Sequence, residues 1–395
     1  MVKDAERCMK CGFCMSVCPV YSADHIEAHV ARGRNVLISM DLPERSYKDV
    51  LSFCLLCKRC EAVCPAKVPS ADITIRARER LVKERGLGIV QFIIYRILLF
   101  RRDLLARILY LLSKIPRFSL KDAPFLRHMA DSYFIFFKEV LIPKLSVPFL
   151  SKRIKKVEGS GEKIAVFPGC SFEFFFSYIG EKIFLFLSKN GYLPEYPSET
   201  GCCGFPIYVA GDIDTAKKLA KKNIDALLGY EKIVTGCATC ASALKGYRDW
   251  FEEKEWKEKA EEISKKVMVL SEFIVKEGIE PESRLKDVTV SYHDPCHLKW
   301  HQGIYIEPRQ VIKRMKEVKF LEIPDICCGL GGAFGIIHRD VSLKIQKKRM
   351  ESIKEVSPQI IATECPGCLL QLQDGVRRFG IKARVVHLVE LLMNG

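Results

Sequence analysis

The feature that most constrains this chain is a cysteine pattern that occurs twice near its start. Each copy has the spacing C-x2-C-x2-C-x3-C-P, as CMKCGFCMSVCP at residues 8–19 and CLLCKRCEAVCP at residues 54–65. Three cysteines with this spacing ligate three of the four irons of a 4Fe-4S cube, and the fourth ligates the cluster of the other copy. The spacing therefore predicts two cubane clusters, one held by Cys8, Cys11, Cys14 and Cys64, and the other by Cys54, Cys57, Cys60 and Cys18.

Two other uses of cysteine explain the pattern less well. A structural zinc site takes four ligands in C-x2-C pairs and leaves a triple C-x2-C-x2-C unexplained. Disulfide frameworks are typical of small secreted chains, whereas this chain has 395 residues and begins MVKDAERCMKC, without an apolar signal segment. Its 18 cysteines therefore predict metal binding in the reducing cytoplasm.

The chain is basic, with a formal net charge of +15. A loaded cubane with four thiolates lowers that charge by about 2, so the protein is expected to stay basic. A basic surface attracts nucleic acid, anionic lipid or an acidic protein. Because the cysteines indicate a redox function, we expect anionic lipid or an acidic protein as the partner and no nucleic acid.

Residues 1–82 are predicted to form a helical ferredoxin domain. The two motifs are separated by a stretch containing HIEAHVARGRNVLISM, and the second is followed by SADITIRARERLVKERG; both are typical of helices. A longer separation than in a compact two-cluster ferredoxin favours an all-α domain in which helices carry the cluster loops.

Residues 83–160 are predicted to be a basic, apolar connector. Arginines interrupt the apolar stretch at residues 87–115, so no run reaches the about 18 apolar residues of a membrane-spanning helix. An apolar face with a basic rim predicts a helix that lies on a membrane surface or against a partner. The alternative is a buried linker helix whose arginines extend to solvent.

The rest of the chain is an internal duplication, predicted as repeat one (residues 161–283) and repeat two (residues 284–395). Apolar, β-branched runs end at cysteines, and helical patterns follow them. This alternation predicts an α/β domain with parallel strands and with the cysteines beyond the carboxyl ends of the strands. The whole chain is therefore predicted to be an α+β multidomain protein. The repeats supply Cys170, Cys202, Cys203, Cys237 and Cys240, and then Cys296, Cys327, Cys328, Cys365 and Cys368.

Five cysteines are one too many for a cubane or a zinc tetrahedron. Adjacent cysteines project in different directions, so a more open iron–sulfur cluster would use both members of each CC pair. Gly204 and Gly329 follow the two pairs. A glycine there allows a positive φ or a close backbone approach, so both are predicted to contribute to cofactor binding.

The order of two ferredoxin motifs and two C-x(n)-CCG-x(n)-C-x-x-C repeats resembles one family from Cys8 to the end of the chain. That family comprises the D subunit of coenzyme B–coenzyme M heterodisulfide reductase, the iron–sulfur subunit of glycolate or lactate oxidase, and the corresponding iron–sulfur protein of anaerobic glycerol-3-phosphate dehydrogenase. The resemblance implies one or two noncubane 4Fe-4S clusters in the repeats, at which the heterodisulfide reductases split a disulfide. The segments YHDPCHLKWHQGIYIEPRQ, CCGLGGAFG and ECPGCLLQLQDGVRRFG are more similar to the hydroxyacid-oxidase subunits, which relay electrons from a separate flavoprotein.

Repeat two carries the candidate catalytic residues, which are Cys296, Cys327, Cys328, His293 and His297. A histidine near neutrality is suited to protonate a departing thiolate; alternatively these histidines bond cluster sulfurs or backbone, or cap the next helix. Asp294 is predicted to be a cap or turn residue.

Two functions follow from the sequence and the resemblance. The first is a redox subunit that passes electrons between two cubanes and noncubane clusters that reduce a disulfide. The second is a relay subunit for an FAD-linked 2-hydroxyacid or glycerol-3-phosphate dehydrogenase. The expected partners are a flavoprotein dehydrogenase subunit, a membrane b-type cytochrome or both, with peripheral contact at the cytoplasmic membrane.

Overall fold

The computed structural model describes residues 1–114, 126–129, 140–143, 145–157, 159–283 and 285–393. Much of the predicted connector between residues 115 and 144 lies outside them. The described elements confirm an α+β protein, with helices in the N-terminal part and two separate parallel sheets in the C-terminal part.

The N-terminal part is helical, and short helices follow the cysteine loops. Gly12 adopts a left-handed conformation (φ 89°) directly before one helix, and Pro19 occupies the first position of the next, where its missing N–H is not needed. The helices are α1 Val2–Glu6, α2 Phe13–Val17, α3 Pro19–Asp24, α4 Ala31–Ser39, α5 Lys48–Ser52, α6 Arg59–Ala62 and α7 Ser70–Arg85, with 3₁₀ turns at Glu27–His29 and Glu44–Ser46. The predicted boundary at residue 82 falls inside α7, because its helical pattern continues to Arg85.

The connector packs against repeat one. It contains α8 Ile89–Phe92, a π-helical turn Ile93–Leu98, α9 Arg102–Lys114 and the short hairpin β1 Leu126–Met129 and β2 Val140–Pro143. Tyr95 joins the core of the repeats, while Arg96 and Arg102 form ion pairs with the buried carboxylates of Asp212 and Glu173. These two arginines, which were predicted to reach solvent or a partner, therefore hold the connector to repeat one. Among the described helices, none is both long and apolar enough to cross a membrane.

Repeat one is a four-stranded parallel sheet in the order β4-β3-β5-β6 with helices around it. The inner half of β3 is apolar and fully buried, as a strand covered on both faces requires. The elements are α10 Leu150–Arg153, a 3₁₀ turn Ile154–Lys156, β3 Glu162–Val166, α11 Gly169–Phe174, α12 Ser177–Lys189, β4 Tyr192–Glu195, α13 Phe205–Tyr208, α14 Ile213–Leu227, β5 Ile233–Thr235, α15 Ala238–Gly246, a 3₁₀ turn Tyr247–Trp250, α16 Lys254–Lys266, β6 Val267–Val269 and α17 Leu270–Lys276.

Repeat two has the same strand order, β8-β7-β9-β10, and all its strands are parallel. Its elements are β7 Val288–Tyr292, α18 Cys296–Gln302, α19 Glu307–Arg314, β8 Val318–Phe320, α20 Phe334–Ile337, α21 Arg339–Val356, β9 Ile360–Thr363, α22 Pro366–Arg378, β10 Arg384–His387 and α23 Leu388–Met393. One continuous hydrophobic core joins the two repeats.

The N-terminal part contacts both repeats. Arg78 donates to the carbonyl oxygen of Val209 in repeat one (2.8 Å), and Arg59 forms an ion pair with Asp325 in repeat two. His301 of repeat two lies 2.9 Å from the carbonyl oxygen of Leu56. These contacts place the second cysteine motif against the cysteine ends of both sheets.

Candidate metal centres

The first predicted cubane set lies around one small cavity. Cys8, Cys11, Cys14 and Cys64 line it together with Asn35, and Cys60 of the other set reaches its edge. Cys11 is exposed, whereas Cys14 is half-buried. The loops between residues 8 and 14 and the end of α6 thus bring this quartet together.

The second predicted cubane set lies around a neighbouring cavity. Cys18, Cys54, Cys57 and Cys60 line it, together with the buried Arg34. Burial raises the pKa of the Cys57 thiol to about 12. A buried thiol with so high a pKa stays protonated unless a metal takes the place of the proton.

The chemistry of both quartets fits a thiolate-bound iron–sulfur cluster. Each cavity presents four sulfur ligands, and Arg34 directs a guanidinium, whose Nε has no partner, toward the second quartet. A buried, uncompensated cation next to four thiols matches an anionic group held by thiolates. These residues therefore suit the iron–sulfur clusters that the motif predicts.

All ten cysteines of the two repeats line a single cavity of about 440 Å³. Cys54 and Cys57 of the second cubane set line it as well, together with apolar side chains such as Leu55 of the N-terminal part and Tyr95 of the connector. Cys237 of repeat one and Cys365 of repeat two are in hydrogen-bonding contact. The two repeats and the N-terminal part thus meet at their cysteines.

The duplicated sheets account for this convergence. Cys170 and Cys237 follow the carboxyl ends of β3 and β5, and Cys296 and Cys365 follow β7 and β9. Cys237 and Cys365 each stand directly before the first residue of a helix, α15 and α22. Because all the strands in each sheet are parallel, their cysteine-bearing ends lie at the same edge.

The glycines that follow the CC pairs are required by the turn itself. Gly204 and Gly329 have φ of +76° and +93°, which side chains rarely adopt. A Cβ on Gly329 would lie 2.8 Å from the carbonyl oxygen of Ser342 in α21. Each glycine N–H donates to the sulfur of the first cysteine of its pair, Cys202 or Cys327, at 3.4 Å. Their contact is therefore with a predicted ligand, and a direct role in cofactor binding stays a prediction.

The thiols of each repeat share protons within a network. Hydrogen bonds from Cys202 and Cys240 lower the pKa of Cys203 to about 6. In repeat two, hydrogen bonds from Cys327 and Cys368 likewise lower the pKa of Cys328, whose Sγ is 3.5 Å from that of Cys368. The second member of each CC pair is therefore a thiol that is readily made a ligand. Hydrogen bonds from Cys237 and Cys368 lower the pKa of Cys365 in the same way.

The predicted histidines occupy different positions. The ring of His293 is buried and has a nitrogen within 4.8 Å of the sulfurs of Cys328 and Cys368. His297 instead lies 2.8 Å, through Nδ1, from the hydroxyl oxygen of Thr239 in repeat one, and burial lowers its pKa. The structure therefore brings His293 close to Cys328 and Cys368. His297 lines the same cavity as the candidate cysteines and also makes a contact between the repeats.

Of the two roles predicted for Asp294, helix cap or turn residue, the structure excludes the helix cap. Pro295 precedes α18 and no side chain caps that helix. The Asp294 carboxylate instead accepts two hydrogen bonds of 2.8 Å from Arg309. A nearby charged partner outweighs the weaker capping interaction.

Several residues of the site gave no signal in the sequence. Thr239 stands between His297 and Cys365, with its hydroxyl 3.7 Å from the Cys365 sulfur. Glu364 precedes Cys365 and is completely buried between the repeats. These residues lie far apart in the sequence from their partners, so only the paired sheets reveal them.

Comparison with known proteins finds two kinds of cysteine-containing domain in the chain. Residues 4–68 match the 4Fe-4S dicluster domain, and residues 164–245 and 290–373 match the cysteine-rich domain. The chain is 29% identical to a probable glycolate oxidase iron-sulfur subunit of Bacillus subtilis, over 98% of this chain and 93% of that one. It is 25% identical to one subunit of a fumarate reductase (CoM/CoB) of Methanothermobacter marburgensis, over 99% of this chain and 72% of that one.

A third relative covers less of the chain. Lactate utilization protein A of Geobacillus thermodenitrificans is 29% identical over 58% of this chain and 98% of its own length. The matched domains hold all 18 cysteines, and the first two relatives are named as an iron-sulfur subunit and a subunit of a reductase. The chain therefore belongs to the family of electron-transferring iron–sulfur oxidoreductase subunits that join a 4Fe-4S dicluster domain to two cysteine-rich domains.

Proposed function

We propose that this chain carries two cubane and two noncubane 4Fe-4S clusters in a continuous row and transfers electrons along it. The observation that supports this most is the common cavity, in which Cys54 and Cys57 face the ten cysteines of the repeats. The proposal assigns residues 1–82 to the cubanes, residues 83–160 to the connector, and residues 161–283 and 284–395 to one noncubane cluster each.

The contacts between the cysteine sets support one order for the row. Cys60 lines both cubane cavities, and the charge of Cys57 contributes to the raised pKa of Cys296 in repeat two. The contact of Cys237 with Cys365 then links repeat two to repeat one. The bound clusters supply one-electron transfer; the chain supplies the ligands, the spacing and a largely apolar cavity around them.

Reduction of a disulfide in the common cavity is the first candidate for the reaction. Both five-cysteine sets are complete and open into it. Cys296, Cys327 and Cys328 would hold the repeat-two cluster, and His293 beside Cys328 would orient that sulfur. The similarity to a fumarate reductase (CoM/CoB) protein agrees with a thiol–disulfide reaction.

Electron relay from a hydroxyacid-oxidising flavoprotein is the second candidate. It is favoured by the similarity over nearly the whole chain to a probable glycolate oxidase iron-sulfur subunit. The few cations that line the cavity also favour it: Arg78 uses its donors on carbonyl oxygens of Leu51, Cys54 and Val209. Among the described residues that line the cavity, Lys48 is then the lysine or arginine that remains to bind a highly anionic disulfide.

The outer face of the connector is the proposed contact with a membrane or a membrane cytochrome. Ile89 and Val90 are 80% and 70% exposed, and Phe92, Ile93 and Ile94 continue this apolar surface. Basic residues flank it at Lys83, Arg85 and Arg101. Exposed apolar side chains with a basic rim suit the surface of an anionic bilayer.

Viologen-dependent turnover distinguishes the two candidates. Anaerobically purified, iron- and sulfide-loaded protein is supplied with reduced viologen and the coenzyme B–coenzyme M heterodisulfide. Turnover that is lost in Cys328→Ser would establish disulfide reduction. Clusters that reduce normally without turnover would favour the relay, and failure of the clusters to accept electrons would contradict both.

A further inference from the structure

Helix α4 separates the two cubane sites and presents a different side chain to each. Ala31 lines both cavities. Arg34 lines the cavity of Cys18, Cys54, Cys57 and Cys60, whereas the next residue, Asn35, lines the cavity of the other quartet. Two consecutive residues thus give one site a cation and the other a neutral amide.

The charge of Arg34 has no acidic partner. Its side chain is 3% exposed, its Nη1 donates to the carbonyl oxygen of His29, and its Nε has no partner. No carboxylate forms an ion pair with it within the described part of the chain, and the ionisable groups that favour its charge most are the thiols of Cys54, Cys18, Cys60 and Cys57. Burial of an unpaired guanidinium is strongly unfavourable, so a negative counter-charge belongs in this cavity.

The first site has no comparable cation. Arg32, on the same helix, also lines the first cavity, but it is one-third exposed and its charge is paired with Glu27 at 2.9 Å. Asn35 donates a hydrogen bond of 2.9 Å to Ser70 and carries no charge. Lys58 and Arg59 also line the second cavity, but they form ion pairs with Glu61 and Asp325. Among the described residues that line the two cavities, Arg34 is therefore the buried cation without an acidic partner.

We propose that Arg34 is the internal counter-ion of the cluster held by Cys18, Cys54, Cys57 and Cys60, and that it raises the reduction potential of that cluster. The inference rests on the two cubanes of the proposed function. Reduction by one electron from an external donor adds one negative charge at this site, and the adjacent guanidinium stabilises the added charge. Arg34 thus favours the electron on the cubane that adjoins the common cavity.

Arg34→Gln tests this inference without removing a ligand. The midpoint potentials of the loaded protein are measured in an EPR-monitored redox titration. We expect the midpoint potential of one cubane to fall by at least about 59 mV, which corresponds to a tenfold change in the equilibrium constant for one electron. The other midpoint should move much less. The same titration in a Cys8→Ser background, which disables the first site, identifies the cubane that shifts.

Two further variants separate charge from shape. Arg34→Lys keeps the charge and should leave both midpoints close to those of the wild type, and Arg32→Gln, which removes a paired, more exposed cation, should do the same. If Arg34→Gln does not retain iron, the test depends on Arg34→Lys. If Arg34→Lys binds its clusters and has the midpoints of the wild type, the role of Arg34 as counter-ion is supported. If Arg34→Lys does not bind its clusters, that role is refuted.

The outcomes also separate this inference from the proposed function. A wild type with two cubane signals and unchanged midpoints in loaded Arg34→Gln would refute the role of Arg34 alone. A wild type without two cubane signals would refute the assignment of the cubanes and, with it, this inference.

Discussion

Glu364 carries a prediction about pH-dependent stability. It is completely buried, directly before Cys365, and its two carboxylate oxygens accept hydrogen bonds from the backbone N–H of Ser271 (2.9 Å) and the hydroxyl of Tyr292 (3.0 Å). Burial raises its pKa from 4.5 to about 7 in spite of these two bonds. Glu364 therefore joins the two repeats best as a neutral acid.

The size of the effect follows from that pKa. Because the folded-state pKa is higher than the unfolded one, the folded protein binds the proton more tightly, and this stabilisation is lost as the pH rises from 4.5 through about 7. At about 1.4 kcal/mol for each pH unit, the loss amounts to about 3 kcal/mol. Glu364→Gln keeps the shape and stays neutral, so it should lack this loss.

Urea unfolding of the loaded, anaerobic protein at pH 5 and pH 8 measures the difference. Because pH 5 already lies above the unfolded-state pKa, part of the loss falls outside this range. The free energy of unfolding of Glu364→Gln minus that of the wild type should therefore be about 2.5 kcal/mol larger at pH 8 than at pH 5. Glu258→Gln, on the exposed face of α16, serves as the control and should show no such difference. An equal pH dependence in Glu364→Gln and the wild type would show that the buried carboxyl is not the group that titrates.

Two more predictions concern the glycine turn and the outer face of the connector. Gly329→Ala should lower both the melting temperature and the iron content, because its Cβ would lie 2.8 Å from the carbonyl oxygen of Ser342. Gly380→Ala is the control, since Gly380 has φ +62° and no atom within 4 Å of an added Cβ. This control should lose only the about 1–2 kcal/mol of stability that corresponds to backbone strain. Equal losses in the two variants would contradict the close approach. Ile89→Asp with Val90→Asp should abolish co-sedimentation with phosphatidylglycerol vesicles, whereas Ile306→Asp, at an exposed apolar site of repeat two, should not. If the double variant still bound the vesicles, the connector would be a linker and would not be the membrane contact.

The local cysteine pattern predicted more of this protein than any other feature. The spacing alone assigns Cys64 to the quartet of the first motif and Cys18 to the quartet of the second. In the structure, each of these quartets lies around its own cavity. The alternation of strands and helices placed the repeat cysteines at strand ends, where they are found. These features are local or periodic, so they can be read from one chain.

The interactions between distant parts of the chain could not be read in this way. Asp294 has a turn-like neighbourhood, yet its partner Arg309 lies 15 residues away. Arg96 and Arg102 looked like the rim of a surface helix, although they pair with buried acids of repeat one. Arg34 resembled any polar residue of a helix until α4 was seen between the two quartets.

Iron analysis with Mössbauer spectroscopy tests the central claim most directly, namely that each repeat holds a cluster of its own beside the two cubanes. Loaded wild type should contain about 16 iron atoms in four clusters. Cys203→Ser and Cys328→Ser should each lose about four of them and keep the cubane spectrum. An unchanged iron content in both variants, or loss of the cubane spectrum in either, would contradict the assignment.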